Sequence, residues 1–244
     1  MSNLFHVILY LPLLNLLVFF YNITPLHDIG IAIILLTVVI RIILFPLTLR
    51  SLKVQKGMQD LQPKIDELKR KYKGQKDIMA QELMKLYKEE KVSPFSSCLP
   101  ILLQIPILWA LFRVFSTGLK SQALAGIYPF IANPGVLSHI SFGYFDLAKP
   151  NYILAGLAAI AQFFQSKMLP MKRPEVKGQG SKDEDMAAIM NKQMLYFMPV
   201  MTFIIGITLP GGLSLYWLLS TLFMLLQQWY FLRNHKARNT EHGT

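Results

Sequence analysis

The sequence predicts an all-α membrane protein: five transmembrane helices and a cytoplasmic antiparallel helical hairpin. Three observations predict it. The 244 residues are 53% hydrophobic and only 16% charged. The apolar residues fall in blocks of membrane length. And 12 of the 25 Lys and Arg residues lie between the first and second blocks, from Arg50 to Lys91.

The formal charge of +11 on so few charged residues excludes a disordered chain, which needs low hydrophobicity. It also argues against a simple nucleic-acid binder, whose basic residues would be plentiful. The single Cys98 excludes an internal disulfide framework and any multi-thiolate metal site. No Gly-rich phosphate loop is present, and His6, His27, His139, His235 and His242 are scattered. The expectation is a protein with no cofactor, no metal and no catalytic residue.

A span needs about 20 residues to cross roughly 30 Å of hydrocarbon. Residues 29–49 form the first such segment, apolar apart from Thr37, Arg41 and Thr48. Residues 94–115, 151–169, 194–210 and 212–232 supply the other four, the last two divided at Pro210-Gly211-Gly212. Residues 1–28 carry the apolar stretch Leu4 to Ile23, interrupted by His6, Pro12 and Asn15. A basic n-region and a small-residue cleavage site are not evident. The reading favours a helix lying in the outer interface, with a sixth span as the alternative.

Short loops rich in Lys and Arg stay cytoplasmic. Residues 50–93, the loop 170–193 and the tail 233–244 are therefore assigned inside, and the loop 116–150 outside. This gives a multi-pass membrane protein with its C-terminus in the cytoplasm.

In the 50–93 segment Val54, Met58, Leu61, Ile65, Leu68 and Tyr72 are spaced 4, 3, 4, 3, 4, a heptad seam that Gly74 ends. A second amphipathic helix follows, through Leu83, Leu86 and Tyr87. Joined at the glycine, the two read as an antiparallel hairpin. Lys64, Lys69, Arg70, Lys71 and Lys73 make it a docking arm for acidic lipid headgroups or ribosomal RNA. A solvated spacer is the plainer alternative.

Arg41 lies about 11 residues into its span, roughly 17 Å at 1.5 Å per residue, near mid-membrane. A central arginine costs about 2.5–3.5 kcal/mol on insertion scales, so it faces protein or water. No span contains an Asp or Glu to pair with it. Thr37 and Thr48 share its helical face. An unpaired arginine beside hydroxyls points to a water-filled cavity, and Gln104, Gln162, Gln165, Ser166, Thr202, Ser214, Ser220 and Thr221 offer a polar lining. Each of these taken singly also serves as interhelical hydrogen-bond glue.

The run Ile40-Arg41-Ile42-Ile43-Leu44-Phe45-Pro46-Leu47-Thr48 resembles the first core span of the YidC-type membrane protein insertases. The resemblance continues through Met58-Gln59-Asp60-Leu61-Gln62-Pro63-Lys64-Ile65 and Leu86-Tyr87-Lys88-Glu89-Glu90-Lys91-Val92-Ser93-Pro94. It extends to Cys98-Leu99-Pro100-Ile101-Leu102-Leu103-Gln104-Ile105-Pro106-Ile107, Tyr196-Phe197-Met198-Pro199-Val200 and Pro210-Gly211-Gly212-Leu213-Ser214-Leu215-Tyr216-Trp217. The large extracytoplasmic domain of some members has no counterpart, so the chain resembles a core-only form.

The resemblance implies insertion and folding of nascent membrane proteins without nucleotide hydrolysis, alone or beside the Sec translocon. It implies a five-helix core around a hydrophilic groove, open to the cytoplasm and to lipid and closed outside. The groove arginine falls on Arg41, and aromatic substrate contacts fall on Tyr216 and Trp217. Gln104, Gln162 and Gln165 match the groove glutamines. The implied partners are nascent membrane proteins, the ribosome, the Sec translocon, targeting factors and anionic lipids. A small solute transporter or channel with an arginine-lined cavity is the alternative, against which stand the lack of inverted repeats and of a carboxylate relay. Seven of the 12 methionines lie between Met168 and Met201. That pattern suits either an adaptable binding surface or ordinary packing.

Overall fold

A computed structural model gives the fold and describes residues 3–90, 92, 99–117, 126–168 and 193–241. Cys98 and most of the methionine-rich 170–193 loop lie outside these. The described chain is mostly helical, as expected for an all-α membrane protein.

A helical turn Asn3–Phe5 and a π turn His6–Tyr10 lead into α1, Leu11–Ile23. Leu14, Leu17 and Val18 are fully buried on one side of α1. Thr24 turns extended and ends it. Asp28 then caps α2, Ile29–Lys71, accepting from the Gly30 and Ile31 amides at 2.7 and 3.1 Å. These two bonds satisfy amides that the first turn of a helix leaves without partners.

α2 runs without interruption through the expected span and on into the first arm of the hairpin, with Pro46 and Pro63 inside it. The sequence reading placed a boundary at residue 49. The backbone continues past it because residues 50–71 are mostly good helix formers such as Leu, Lys, Gln and Arg, and the helix carries Gly57 and Pro63 within it. Gly74, at φ +88°, makes the turn, a conformation favourable only without a Cβ. α3, Lys76–Glu89, returns alongside α2, and Lys64 pairs with Glu90 where the arms close.

α4 spans Leu99–Thr117, α5 Tyr152–Met168, α6 Met198–Gly206 after a π turn Gln193–Phe197, and α7 Gly211–Glu241. α7 carries helical structure past residue 232 into the expected tail. Among the described residues, His6–Ile23 and the apolar part of α2 are long and apolar enough to cross a membrane. Leu102–Ser116 and Leu195–Gly206 are shorter apolar helices.

The core joins α1, α2, α4 and α7 through Leu17, Ile33, Leu36, Leu111 and Leu213, all completely shielded. α5 packs on α6 and α7 through small residues. A Cβ added at Gly206 would stand 2.8 Å from that of Ala155, so this contact depends on glycine.

The loop between α4 and α5 is laced to the helix ends. Its two-residue strands β1, Ile140–Ser141, and β2, Phe145–Asp146, pair antiparallel. Ser141 donates to the Asp28 carboxylate at 2.7 Å, and a Cβ at Gly30 would collide with the Ser141 hydroxyl. Asn15 accepts from Tyr128 N–H at 2.7 Å, and Tyr21 Oη accepts from Ser138 N–H at 2.9 Å. The first amides of α7, at Gly211 and Gly212, donate to the Lys149 and Leu147 carbonyls, both at 2.9 Å.

Candidate functional site

α2 buries one polar stripe among its apolar residues. Thr37, Arg41 and Thr48 lie four and seven residues apart, so they fall on one face. Arg41 is only 6% exposed. Its Nη2 donates to Gln104 Oε1 on α4 at 3.4 Å, and Gln104 Nε2 donates to Tyr216 Oη on α7 at 3.0 Å. Tyr216 is fully buried. Three helices thus meet at one charge through a chain of neutral groups. The Arg41 Nε has no partner, and among the described residues no carboxylate pairs with this arginine.

The remaining residues expected at the site divide. Thr37 donates back to the Ile33 carbonyl at 2.6 Å, one turn before Arg41. Thr48 donates to the Phe45 carbonyl at 2.9 Å and accepts from Gln227 Nε2 at 2.8 Å, forming a second polar contact between α2 and α7. Gln162 accepts from Thr202 Oγ1 at 2.6 Å and joins α5 to α6, away from the arginine. Gln165 is half-buried on α5. Trp217, next to Tyr216, is half-buried on an adjoining face, and its carbonyl accepts from Thr221.

On the hairpin, Lys64, Arg70, Lys71 and Lys73 are exposed and Lys69 is half-buried. Hydrogen bonding to Glu90 and its charge raise the Lys64 ammonium above the ordinary lysine range. Leu61 and Ile65 are buried on the first arm. Partial burial of Tyr87 on the second arm pushes its phenol up.

Gln227 and Gln228 are buried and were not anticipated as site residues. Helical phase contained the signal. Gln227 lies 11 residues, just over three whole turns at about 3.6 residues each, beyond Tyr216 and therefore on nearly the same face.

Residues 19–239 match the sequence model of the family described as 60Kd inner membrane protein. A Fusobacterium nucleatum protein named "Membrane protein insertase YidC" is 34% identical over 227 residues, covering 92% of this chain and 97% of that protein. The chain belongs to the YidC-type membrane protein insertase family.

Other members of this insertase family are longer. A Geotalea daltonii "Membrane protein insertase YidC" is 37% identical over 228 residues, which are 93% of this chain and 37% of that protein. A Listeria monocytogenes "Membrane protein insertase YidC 1" is 36% identical over 202 residues, 81% of this chain and 62% of that one. The family is one of membrane insertases, not of enzymes.

Proposed function

We propose that this insertase passes nascent membrane proteins into the bacterial cytoplasmic membrane through a polar groove centred on Arg41. The observation that carries this reading is the Arg41–Gln104–Tyr216 chain, a buried cation held by neutral groups with one donor unused. A nascent chain must move a polar, often acidic, segment across hydrocarbon before its apolar helix enters lipid. Arg41 in a low-dielectric surrounding attracts that segment more strongly than it would in bulk water. The apolar helix then partitions sideways, so no nucleotide is consumed. Trp217, Gln162 and Gln165 would belong to the path of the departing helix.

In this reading the five segments 29–49, 94–115, 151–169, 194–210 and 212–232 cross the membrane, with the hairpin and C-terminus in the cytoplasm. The N-terminal segment lies across the outer end. Two contacts support that position. The Arg113 guanidinium, near the end of α4, stands 5.9 Å from the Tyr10 ring centroid, and Tyr21 meets Ser138 of the outer loop. Both ends of α1 therefore touch the outer side of the core. Lys64, Lys69, Arg70, Lys71 and Lys73 present the hairpin to the ribosome, targeting factors or anionic lipids, and the Sec translocon is a further partner.

Reconstitution tests the proposal. Proteoliposomes containing the chain should protect the translocated segment of a single-span substrate from added protease. Arg41→Ala should impair a substrate with an acidic translocated segment more than a neutral one. Equal insertion of both by the variant would overturn the electrostatic mechanism. Solute conduction without insertion would overturn the insertase reading.

A further inference from the structure

The exposed apolar residues are not confined to the sides of the helices. Leu26 is 96% exposed, Tyr144 91% and Phe130 82%, and all three lie in the connections α1–α2 and α4–α5. A single exposed apolar side chain is ordinary, but a group of them marks a surface that something covers.

Two of these connections converge on Asp28. Leu26 stands two positions before it in the chain, and the Phe142 amide donates to its carboxylate at 2.5 Å. Phe142, Gly143 and Tyr144 form the tip between β1 and β2, where the Tyr144 amide donates to the Ser141 carbonyl at 3.2 Å. Phe142 is exposed as well.

The backbone is bent to present these side chains. φ is +65° at Leu26 and +50° at Phe142. This left-handed conformation is unfavourable for a residue with a Cβ, and turns that need it ordinarily use Gly, Asn or Asp. Here a leucine and a phenylalanine adopt it and stay exposed. Facing water, that arrangement gains nothing. Against an apolar phase it buries both side chains.

The height of the tip names the phase. Asp28 caps the first turn of α2, so Leu26 and Phe142 sit where the apolar run of that helix begins. The carbonyls of Leu147 and Lys149, just after β2, receive the first amides of α7, and the exposed Tyr152 opens α5. The β1–β2 tip is thus level with the starts of three helices. At the end of a membrane-crossing helix that level is the headgroup region, where aromatic rings collect. The charge pattern agrees. Between positions 126 and 153 the charged side chains are Asp146 and Lys149, and they pair with each other at 3.1 Å. No free charge remains there to steer a charged protein surface.

We propose that the β1–β2 tip and Leu26 form a membrane-dipping anchor whose partner is the uncharged lipid interface of the outer leaflet. Phe142, Tyr144 and Leu26 enter the boundary between headgroups and acyl chains. The anchor rests on the reading above that residues 29–49 cross the membrane and begin outside. Its role is to set depth: Arg41 lies 13 positions beyond Asp28, about 20 Å along α2, so fixing the start of the helix fixes the height of the charge.

Depth-dependent fluorescence quenching tests this on the full chain, with its one cysteine removed as Cys98→Ser. Single labelling sites are made as Tyr144→Cys, as Ile43→Cys on the exposed face within the span, and as Lys73→Cys on the helical hairpin. Each labelled protein is reconstituted in phosphatidylcholine vesicles. The quenchers are iodide on both sides of the membrane and lipids with a nitroxide placed shallow or deep on the acyl chain. The label at 144 should be quenched by the shallow nitroxide and shielded from iodide, the label at 43 by the deep nitroxide, and the label at 73 by iodide. Adding anionic lipid should leave the result at 144 unchanged. Phe142→Asn, which suits the left-handed backbone, should raise iodide quenching at 144. Iodide quenching at 144 equal to that at 73, with 43 still quenched by the deep nitroxide, would overturn the anchor alone. Loss of deep quenching at 43 would overturn the span and the anchor together. An unchanged signal at 144 in Phe142→Asn would overturn the part given to Phe142.

Discussion

Arg41 and Gln104 are separated by 63 positions in the chain, yet the guanidinium of one donates to the side-chain carbonyl of the other at 3.4 Å. Gln104 in turn donates to Tyr216, so one amide side chain carries the contact among α2, α4 and α7. Gln104→Leu should leave Arg41 and the Tyr216 hydroxyl without these bonds. A loss of about 1–3 kcal/mol is expected in detergent-solubilised thermal or denaturant unfolding. Tyr216→Phe removes only the last acceptor and should cost about 0.5–1.5 kcal/mol. A larger loss in Tyr216→Phe than in Gln104→Leu would show that Gln104 is not the hub.

Asp28 fastens the start of α2 to the loop between α4 and α5. Partial burial pushes its carboxyl up, but hydrogen bonds from Phe142 N–H, the Ser141 hydroxyl, Ile31 N–H and Gly30 N–H together hold it below the ordinary aspartate range. The folded state therefore binds its proton less tightly than the unfolded chain, whose aspartate titrates near about 3.9. Stability from the charged form is present above that pH and is lost as pH falls through the folded value. Asp28→Asn should lower the unfolding temperature at pH 7. The gap from the unmodified chain should narrow below about pH 4, and a gap unchanged between pH 7 and pH 3 would contradict the assignment.

Gly206 and Ala155 hold α5 and α6 in close approach. Gly206→Ala should destabilise by about 1–3 kcal/mol through overpacking. Ala155→Gly in the same chain should recover part of that loss. A double variant no more stable than Gly206→Ala alone would place the strain elsewhere.

The basic face of the hairpin should act through charge alone. Replacing Lys69, Arg70, Lys71 and Lys73 together by serine should weaken cosedimentation with vesicles rich in anionic lipid, and the difference should fade as salt rises. Thermal unfolding should barely change, because three of these side chains are exposed and Lys69 is half-buried. Undiminished vesicle binding at low salt would exclude the anionic-lipid role.

Much of this was legible along the chain because the signals are local. A membrane-length apolar block, a 4–3 spacing or a lone arginine inside an apolar run needs no knowledge of neighbours. The heptad seam ending at Gly74 appears in the structure as two helical arms turning at a left-handed glycine. Arg41 stood out for the same reason, since its cost is set by where it lies and not by what surrounds it. The order of motifs from Ile40 to Trp217 carried the family, which the comparisons then showed.

Partnership was not legible, because it depends on helices far apart in sequence. Thr37 and Thr48 share a face with Arg41, but one hydroxyl closes on its own backbone and the other reaches Gln227. Gln104 and Gln162 look equivalent as single glutamines in apolar segments. Only packing decided that Gln104 meets the arginine while Gln162 meets Thr202. Likewise, nothing in an uninterrupted run from Ile29 to Lys71 announces that Ser141 stands against Gly30. The sequence by itself determined where apolar and basic segments lie and that one charge is out of place, because hydropathy and helical period act over a few residues. The tertiary structure decided which groups answer that charge, because a buried hydrogen bond is set by the few ångströms between helices.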